Sequence, residues 1–179
     1  WILQSLALGG AWELNYVSTF PGSGPYVDDG MLIFIGFRSV EGAQARISTP
    51  LLTFENAVAP ELRFHFYYLD MSSEDLRFDD YMEVEASVDG SEFTPVEGGR
   101  FVQHDADSRW TECVVPLHAY AGKKKVAIGF HGYSGGGFNL LLDNIRITDS
   151  DNNAIGDVEA DTSALPVEYF NLQGMRVDA

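Results

Sequence analysis

The clearest alternation of apolar and polar positions lies between Trp110 and Ile147. Cys113, Val115 and Leu117 fall on one side of a period of two, and after an Ala121-Gly122-Lys123 corner Val126, Ile128 and Phe130 do the same. That period predicts strands with one buried face. A Gly-rich loop, GYSGGGF, then leads to a third run of Leu141, Asp143, Ile145 and Ile147, where a carboxylate takes a place in the apolar register. A carboxylate turned toward a core is costly unless a cation, an arginine or several N–H donors meet it. The spacing therefore predicts a partner for Asp143.

The same pattern marks strands upstream. Leu62, Phe64, Phe66 and Tyr68 face one way, while Arg63, His65 and Tyr67 face a solvated or ligand-facing side. Over Tyr81–Val88, Met82, Val84, Ala86 and Val88 point inward and Tyr81, Glu83, Glu85 and Ser87 outward. Asp89-Gly90 is a hairpin turn, because both central residues of the favoured turn need positive φ; it leads into a strand at Phe93–Val96. Earlier, Trp12–Val17 reads as a short strand, Met31–Phe37 as a buried one, and Ala45–Thr49 as one stopped by Pro50 at an edge or strand end. Asp70–Asp80 and Gly98–Arg109 read as loops. No segment sustains an apolar repeat at helical spacing, so about eight to ten short strands predict an all-β antiparallel sandwich. Its core is expected to contain Leu62, Phe64, Phe66, Met82, Val84, Val126, Ile128, Ile145 and Ile147.

Residues 1–148 form the sandwich on this reading. Residues 149–164, DSDNNAIGDVEADTSA, are an acidic linker, and residues 165–179 carry one more apolar-patterned strand with a Gly turn, LPVEYFNLQGMRV. Composition narrows the partners. A formal net charge of −16 argues against nucleic acid and against an anionic membrane surface. No apolar run approaches the roughly 20 residues of a membrane-spanning helix. The single cysteine, Cys113, excludes an internal disulfide and reads as a small inward hydrophobe. The opening Trp1-Ile-Leu-Gln lacks the basic start of a signal peptide, so the chain reads as a mature or trimmed piece.

Two stretches carry resemblances. SVDGSEF, Trp110, VVPLHAYAGKKKVAIGF and LLLDNIRI follow one another as in the second half of the cleaved-adhesin and MAM-like jelly rolls, and ARISTPLLTF with LRFHFYYLD resembles the preceding strands of that family. The resemblance implies a two-sheet jelly-roll β-sandwich, often with a structural calcium ion. It also implies a surface adhesin or an accessory module of a secreted bacterial protease or other hydrolase. The family opens with a strand ahead of the first Gly-Trp, so a first strand is expected upstream of this chain. VEYFNLQGMRV is similar to the start of the C-terminal sorting domain of Bacteroidetes secreted proteins, which implies a secreted or outer-membrane-surface location.

Candidate chemistry is sparse. Asp143 has two readings: a calcium ligand with Asp28 or Asp29 on the incoming loop, or a cap on backbone N–H groups at a bulge. Glu83 and Glu85, two residues apart on one strand face, invite a glycosidase reading, since retaining enzymes hold two carboxyls roughly 5 Å apart. Surface carboxylates on a solvated face are the better account. The histidines, His65, His104, His118 and His131, show no metal-ligand spacing. Tyr67, Tyr81, Tyr133 and Phe138, the latter two flanking a flexible triple glycine, are candidate ligand-binding aromatics that could stack on sugar rings; the alternative is ordinary packing, or contact with a neighbouring domain. The function expected is a non-catalytic adhesion or carbohydrate-binding module with a glycan or a host or surface protein as partner. A secreted glycosidase-like hydrolase, or an accessory domain of a secreted protease, is the alternative.

Overall fold

The computed structural model describes residues 1–19, 22–27, 30–69, 78–102 and 108–149, with the backbone of residues 169–170 and 176–177. Ten strands form its body: β1 (Ile2–Ala7), β2 (Trp12–Asn15), β3 (Met31–Phe34), β4 (Gln44–Ser48), β5 (Pro60–Tyr68), β6 (Tyr81–Val88), β7 (Thr94–Val102), β8 (Thr111–Pro116), β9 (Val126–Tyr133) and β10 (Leu140–Asp149). They make two five-stranded sheets, ordered β1-β4-β9-β6-β7 and β2-β3-β10-β5-β8, and every pairing in them is antiparallel. Two short strands, β11 (Tyr169–Phe170) and β12 (Arg176–Val177), pair with each other. The linker expected over 149–164 lies outside the described residues except for Asp149, which closes β10.

The core between the sheets follows the period-two pattern. Leu62, Phe64, Phe66, Met82, Val84, Val126 and Ile128 are buried in one cluster, and Ile145 and Ile147 pack against it. Phe64 meets Phe130 of the opposite sheet edge to face at 5.6 Å, the geometry that the ring quadrupole favours. Trp12 of the second sheet donates its indole N–H to the Ala45 carbonyl of the first, which ties the two layers at one end. Cys113 is buried, and burial followed by the neighbouring charge of Glu112 pushes its thiol up to about 12. It is a packing residue.

Several expectations need correction. Ile2–Ala7 is a strand, β1, that pairs with β4. The sequence reading left it out because no residue of β1 is buried, so it has no apolar-in, polar-out contrast. β4 is consequently an interior strand, and of the two places expected for Pro50, an edge or a strand end, it takes the strand end. Gly98–Val102, read as loop, belongs to β7. Val88 is exposed at the end of β6 rather than buried.

The largest correction concerns Asp143. The β10–β5 register slips between Asp143 and Arg146, and Asn144 inside the slip has φ of 50°. The bulge changes which face the strand presents. Leu141 lies in a second cluster with Met31, Ile33 and Tyr67, whereas Ile145 and Ile147 return to the main core. Asp143 therefore sits on the outer side of the second sheet, yet it is only 7% exposed. The segment Gly22–Val27 lies over it. Oδ2 accepts the N–H groups of Tyr26 (2.7 Å) and Val27 (3.0 Å), and Oδ1 accepts that of Asn144 (2.6 Å). Trp110 Nε1 pins the same segment through the Gly24 carbonyl, and the Tyr26 ring stacks on His65 at 3.6 Å. The cap reading of Asp143 accounts for its burial.

Asp143→Asn would turn an amide donor toward these N–H groups. It is expected to cost about 1–3 kcal/mol, the range for a buried group left unsatisfied, as read by denaturant titration at unchanged m.

Candidate functional site

The register of the first sheet sets chemistry-bearing residues in rows across its outer face. Arg100, Glu83, His131, Arg46 and Gln4 are successive cross-strand partners on β7, β6, β9, β4 and β1. The neighbouring row runs Val102, Tyr81, Tyr133, Gln44, Ala7, and the row beyond holds Glu85 opposite Gly129. Charges of opposite sign thus meet by pairing register alone.

Glu85 is the centre of this face. Arg46 Nε lies 2.5 Å from its Oε2 and His131 Nδ1 3.2 Å from its Oε1. His131 Nε2 faces Gln44 Oε1 at 3.0 Å, while the Gln44 amide nitrogen reaches the Gly42 carbonyl at 3.4 Å. Both ring nitrogens thus face side-chain oxygens. Glu85 is 6% exposed, which corrects its reading as a solvated carboxylate. Burial alone would raise its pKa, but the bonds from His131 and Arg46 and their charges hold it below its usual value. Gly129 lets these side chains lie close to the sheet, since a Cβ there would crowd Arg46 Cδ at 3.0 Å and the Phe93 ring at 3.1 Å. The Arg46 guanidinium in turn lies 4.3 Å from the Phe93 ring centroid. Glu83, Glu85 and His131 present ligand atoms within 4.8 Å of one another, a set that spacing along the chain does not reveal. Arg46 already supplies the positive charge that Glu85 needs, so the set reads as an ion-pair network.

At one end of the face the side chains open into a cleft. Tyr81 and Tyr133 stack at 4.8 Å with their planes 8° apart, and the Arg100 guanidinium lies 3.7 Å from the Tyr81 ring centroid. Arg100 and Tyr133 come from strands on opposite sides of β6, so both faces of Tyr81 are covered. The cleft, about 350 Å³, is lined among the described residues by these three, by Val102 and by Phe78, Asp79 and Asp80. Arg100 is half exposed and makes a long contact, 3.5 Å, with Glu83.

Asp80 fixes the floor. Its Oδ2 accepts the Tyr68 hydroxyl at 2.8 Å, and its Oδ1 accepts the N–H groups of Gly135 (2.8 Å) and Gly137 (3.4 Å). Burial raises its pKa, and these bonds oppose the rise. A Cβ at Gly135 or Gly137 would collide with Asp79 or with Asp80 and Phe78. The triple glycine is thus a backbone cradle for a buried carboxylate, where the sequence reading had a flexible loop.

The candidate aromatics separate accordingly. Tyr81 and Tyr133 come together at the cleft. Phe138 stacks on Phe37 at 6.1 Å and meets the cleft residue Phe78 edge-on at 5.5 Å, one layer behind. Tyr67 is 7% exposed on the other sheet, packed on Trp110 at 5.6 Å, so its expected outward, ligand-facing position is corrected. Alternation was right, but the outer side of β5 is roofed by the Gly22–Val27 segment. Arg46 and Arg100 were not singled out from sequence, and Asp80, expected in a solvated acidic loop, is buried instead. Arg46 holds an outward position of a strand, a signal that could have been used.

Asp28 and Asp29 lie outside the described residues. Asp143 spends three of a carboxylate's roughly four acceptor positions on N–H groups. Calcium wants six to eight oxygens. The residues described around Asp143 do not fit a calcium site.

No family model matches the chain, and no curated protein matches it. Solved structures do. Over 82% of its length the chain is similar to the K1 cleaved adhesin domain of Lys-gingipain from Porphyromonas gingivalis W83, with a TM-score of 0.57, 19% identity and 89% of that domain covered. The K3 cleaved adhesin domain of the same protein matches at a TM-score of 0.51 and 15% identity, over 76% of this chain and 91% of that one. TmCBM61, solved in complex with beta-1,4-galactotriose, matches at a TM-score of 0.51 and 10% identity, over 83% of this chain and 87% of that one. The fold is an antiparallel jelly-roll β-sandwich.

Glu85→Gln removes the charge between Arg46 and His131 and is expected to cost about 3 kcal/mol. Because folding lowers the Glu85 pKa, its contribution is present above the usual glutamate value of 4.5 and is lost as pH falls through the folded value. Stability curves of the two proteins should therefore converge under acid conditions and stay apart at neutral pH.

Proposed function

We propose that this domain is a non-catalytic adhesion module that binds glycan in the cleft beside Arg100, Tyr81 and Tyr133. The observation that carries the reading is the cleft itself, where a rigid aromatic wall and a guanidinium stand beside an exposed carboxylate, Asp79. Sugars combine apolar C–H faces with hydroxyls, and such a mixed lining meets both. The likeness to adhesin domains and to a galactotriose-bound module supports it by analogy of fold. The hydrolase alternative is disfavoured by Glu85, whose oxygens are held by Arg46 and His131 away from solvent.

The location proposed is the outside of a Bacteroidetes cell, secreted or at the outer-membrane surface, with VEYFNLQGMRV as the start of an export signal. The Porphyromonas likeness supports it. The parent open reading frame should begin with an N-terminal export sequence; one without it overturns the location. A structural calcium ion, expected at Asp143 with Asp28 or Asp29, is kept as a separate proposal, in which Asp143 would add its one remaining acceptor position. Calcium should then raise the melting temperature over that in chelator, since a ligand of the folded state stabilises it. Coincident melts discard the ion.

A glycan array run beside a glycosidase substrate panel tests the main proposal. Arg100→Ala and Tyr133→Ala should each weaken glycan binding at least tenfold; their melting temperatures, read in parallel, report the packing lost with each side chain. Turnover of any panel substrate that Glu83→Gln abolishes would replace the module with the enzyme. Binding only to a host or surface protein would keep the adhesion role and remove the glycan.

A further inference from the structure

We infer that the cleft takes the end of a glycan chain, one or two sugar units, and not the middle of an extended one; the inference rests on the glycan reading of that cleft. A chain lying across a sheet needs a row of accessible side chains under successive sugars. Toward the middle of the outer face of the first sheet, the described residues do not offer one. In the row next to the cleft, the side chains of Glu83, His131 and Arg46 retain only 16%, 12% and 14% of their exposure. In the following row Gly129 is roofed by Arg46 and Phe93. Extension toward the middle of the sheet is therefore blocked by the protein's own side chains, which are held there by the Glu85 ion pairs.

Among the described residues, two further boundaries are fixed. Phe78, Asp79 and Asp80 form one side, and Asp80 is itself locked to the Gly135–Gly137 backbone. Tyr81 has Arg100 on one face and Tyr133 on the other, so no sugar can slide over it. A volume of about 350 Å³ lies at the small end of the roughly 300–1,000 Å³ range of ligand pockets. Arg100 makes a long contact with Glu83 and a hydrogen bond to Tyr81, and of its five guanidinium N–H donors others stay available for neighbouring hydroxyls of a terminal ring.

The test uses the 179-residue chain on a glycan array that carries the same sugars in terminal and internal positions. It is followed by calorimetric titration with the di- to hexasaccharide series of the strongest hit. Hits are expected to share their last one or two units whatever lies behind them, and the disaccharide should bind within about threefold of the hexasaccharide. Hits that share only an internal repeat, or a tenfold or greater gain from disaccharide to hexasaccharide, overturn the inference while leaving glycan binding intact. An array with no hit removes the glycan reading and this inference together.

Discussion

A carboxylate withdrawn from water must find its donors inside the protein, and much of this sandwich is arranged around three that do so. Asp143 takes backbone N–H groups of the Tyr26–Val27 segment and of its own bulge. Asp80 takes the Tyr68 hydroxyl and the glycine backbone beyond β9. Glu85 takes the side chains of Arg46 and His131. Each lies away from the apolar layer between the sheets, at a place where the chain folds back over a sheet or a sheet ends. The apolar core holds the two layers together, and these carboxylates decide what covers them.

That covering determines where a ligand can go. On the second sheet the Gly22–Val27 segment, Trp110 and the Tyr26–His65 stack close the outer side of β5. On the first, Phe93, Arg46 and the Glu85 pairs close the centre. Among the described residues, the first sheet stays open at the end where Tyr81 and Tyr133 are cross-strand partners and Asp80 anchors the turn beside them. The position of the cleft is thus a consequence of satisfied charge elsewhere on the molecule.

Much of this architecture was legible in the sequence because period-two alternation reports directly on the apolar layer. Leu62 to Tyr68, Met82 to Ala86, and Val126 to Phe130 could be assigned a face without a structure, and Asp89-Gly90 marked its hairpin through two positive φ values, 88° and 82°. The site was much less legible. Alternation tells which side chains point away from the core, but not whether a second layer of chain lies over them. Tyr67 and Glu85 both read as solvated and are both buried, one under a distant loop and the other under an arginine and a histidine from neighbouring strands. Asp143 showed the opposite limit. Its need for partners was visible in the sequence, and a cap at a bulge was one of its two readings, but the distant Tyr26–Val27 segment that supplies two of the three N–H groups was not.

The residue that gives the cleft its positive charge shows how local backbone chemistry can hide a functional position. Arg100 follows Gly98-Gly99, a pair that reads as a break in any strand pattern. In the structure the β6–β7 register slips between Glu83 and Glu85 at this point, with Gly98 at φ of 73°, in the left-handed region that glycine enters freely. A Cβ on Gly99 would crowd Val84. The glycines thus let β7 absorb extra residues and resume pairing with Arg100 opposite Glu83 and its guanidinium over Tyr81. An ordinary hairpin continued without the slip would set a different β7 residue opposite Glu83. The apparent interruption of the strand is what aims the arginine into the cleft.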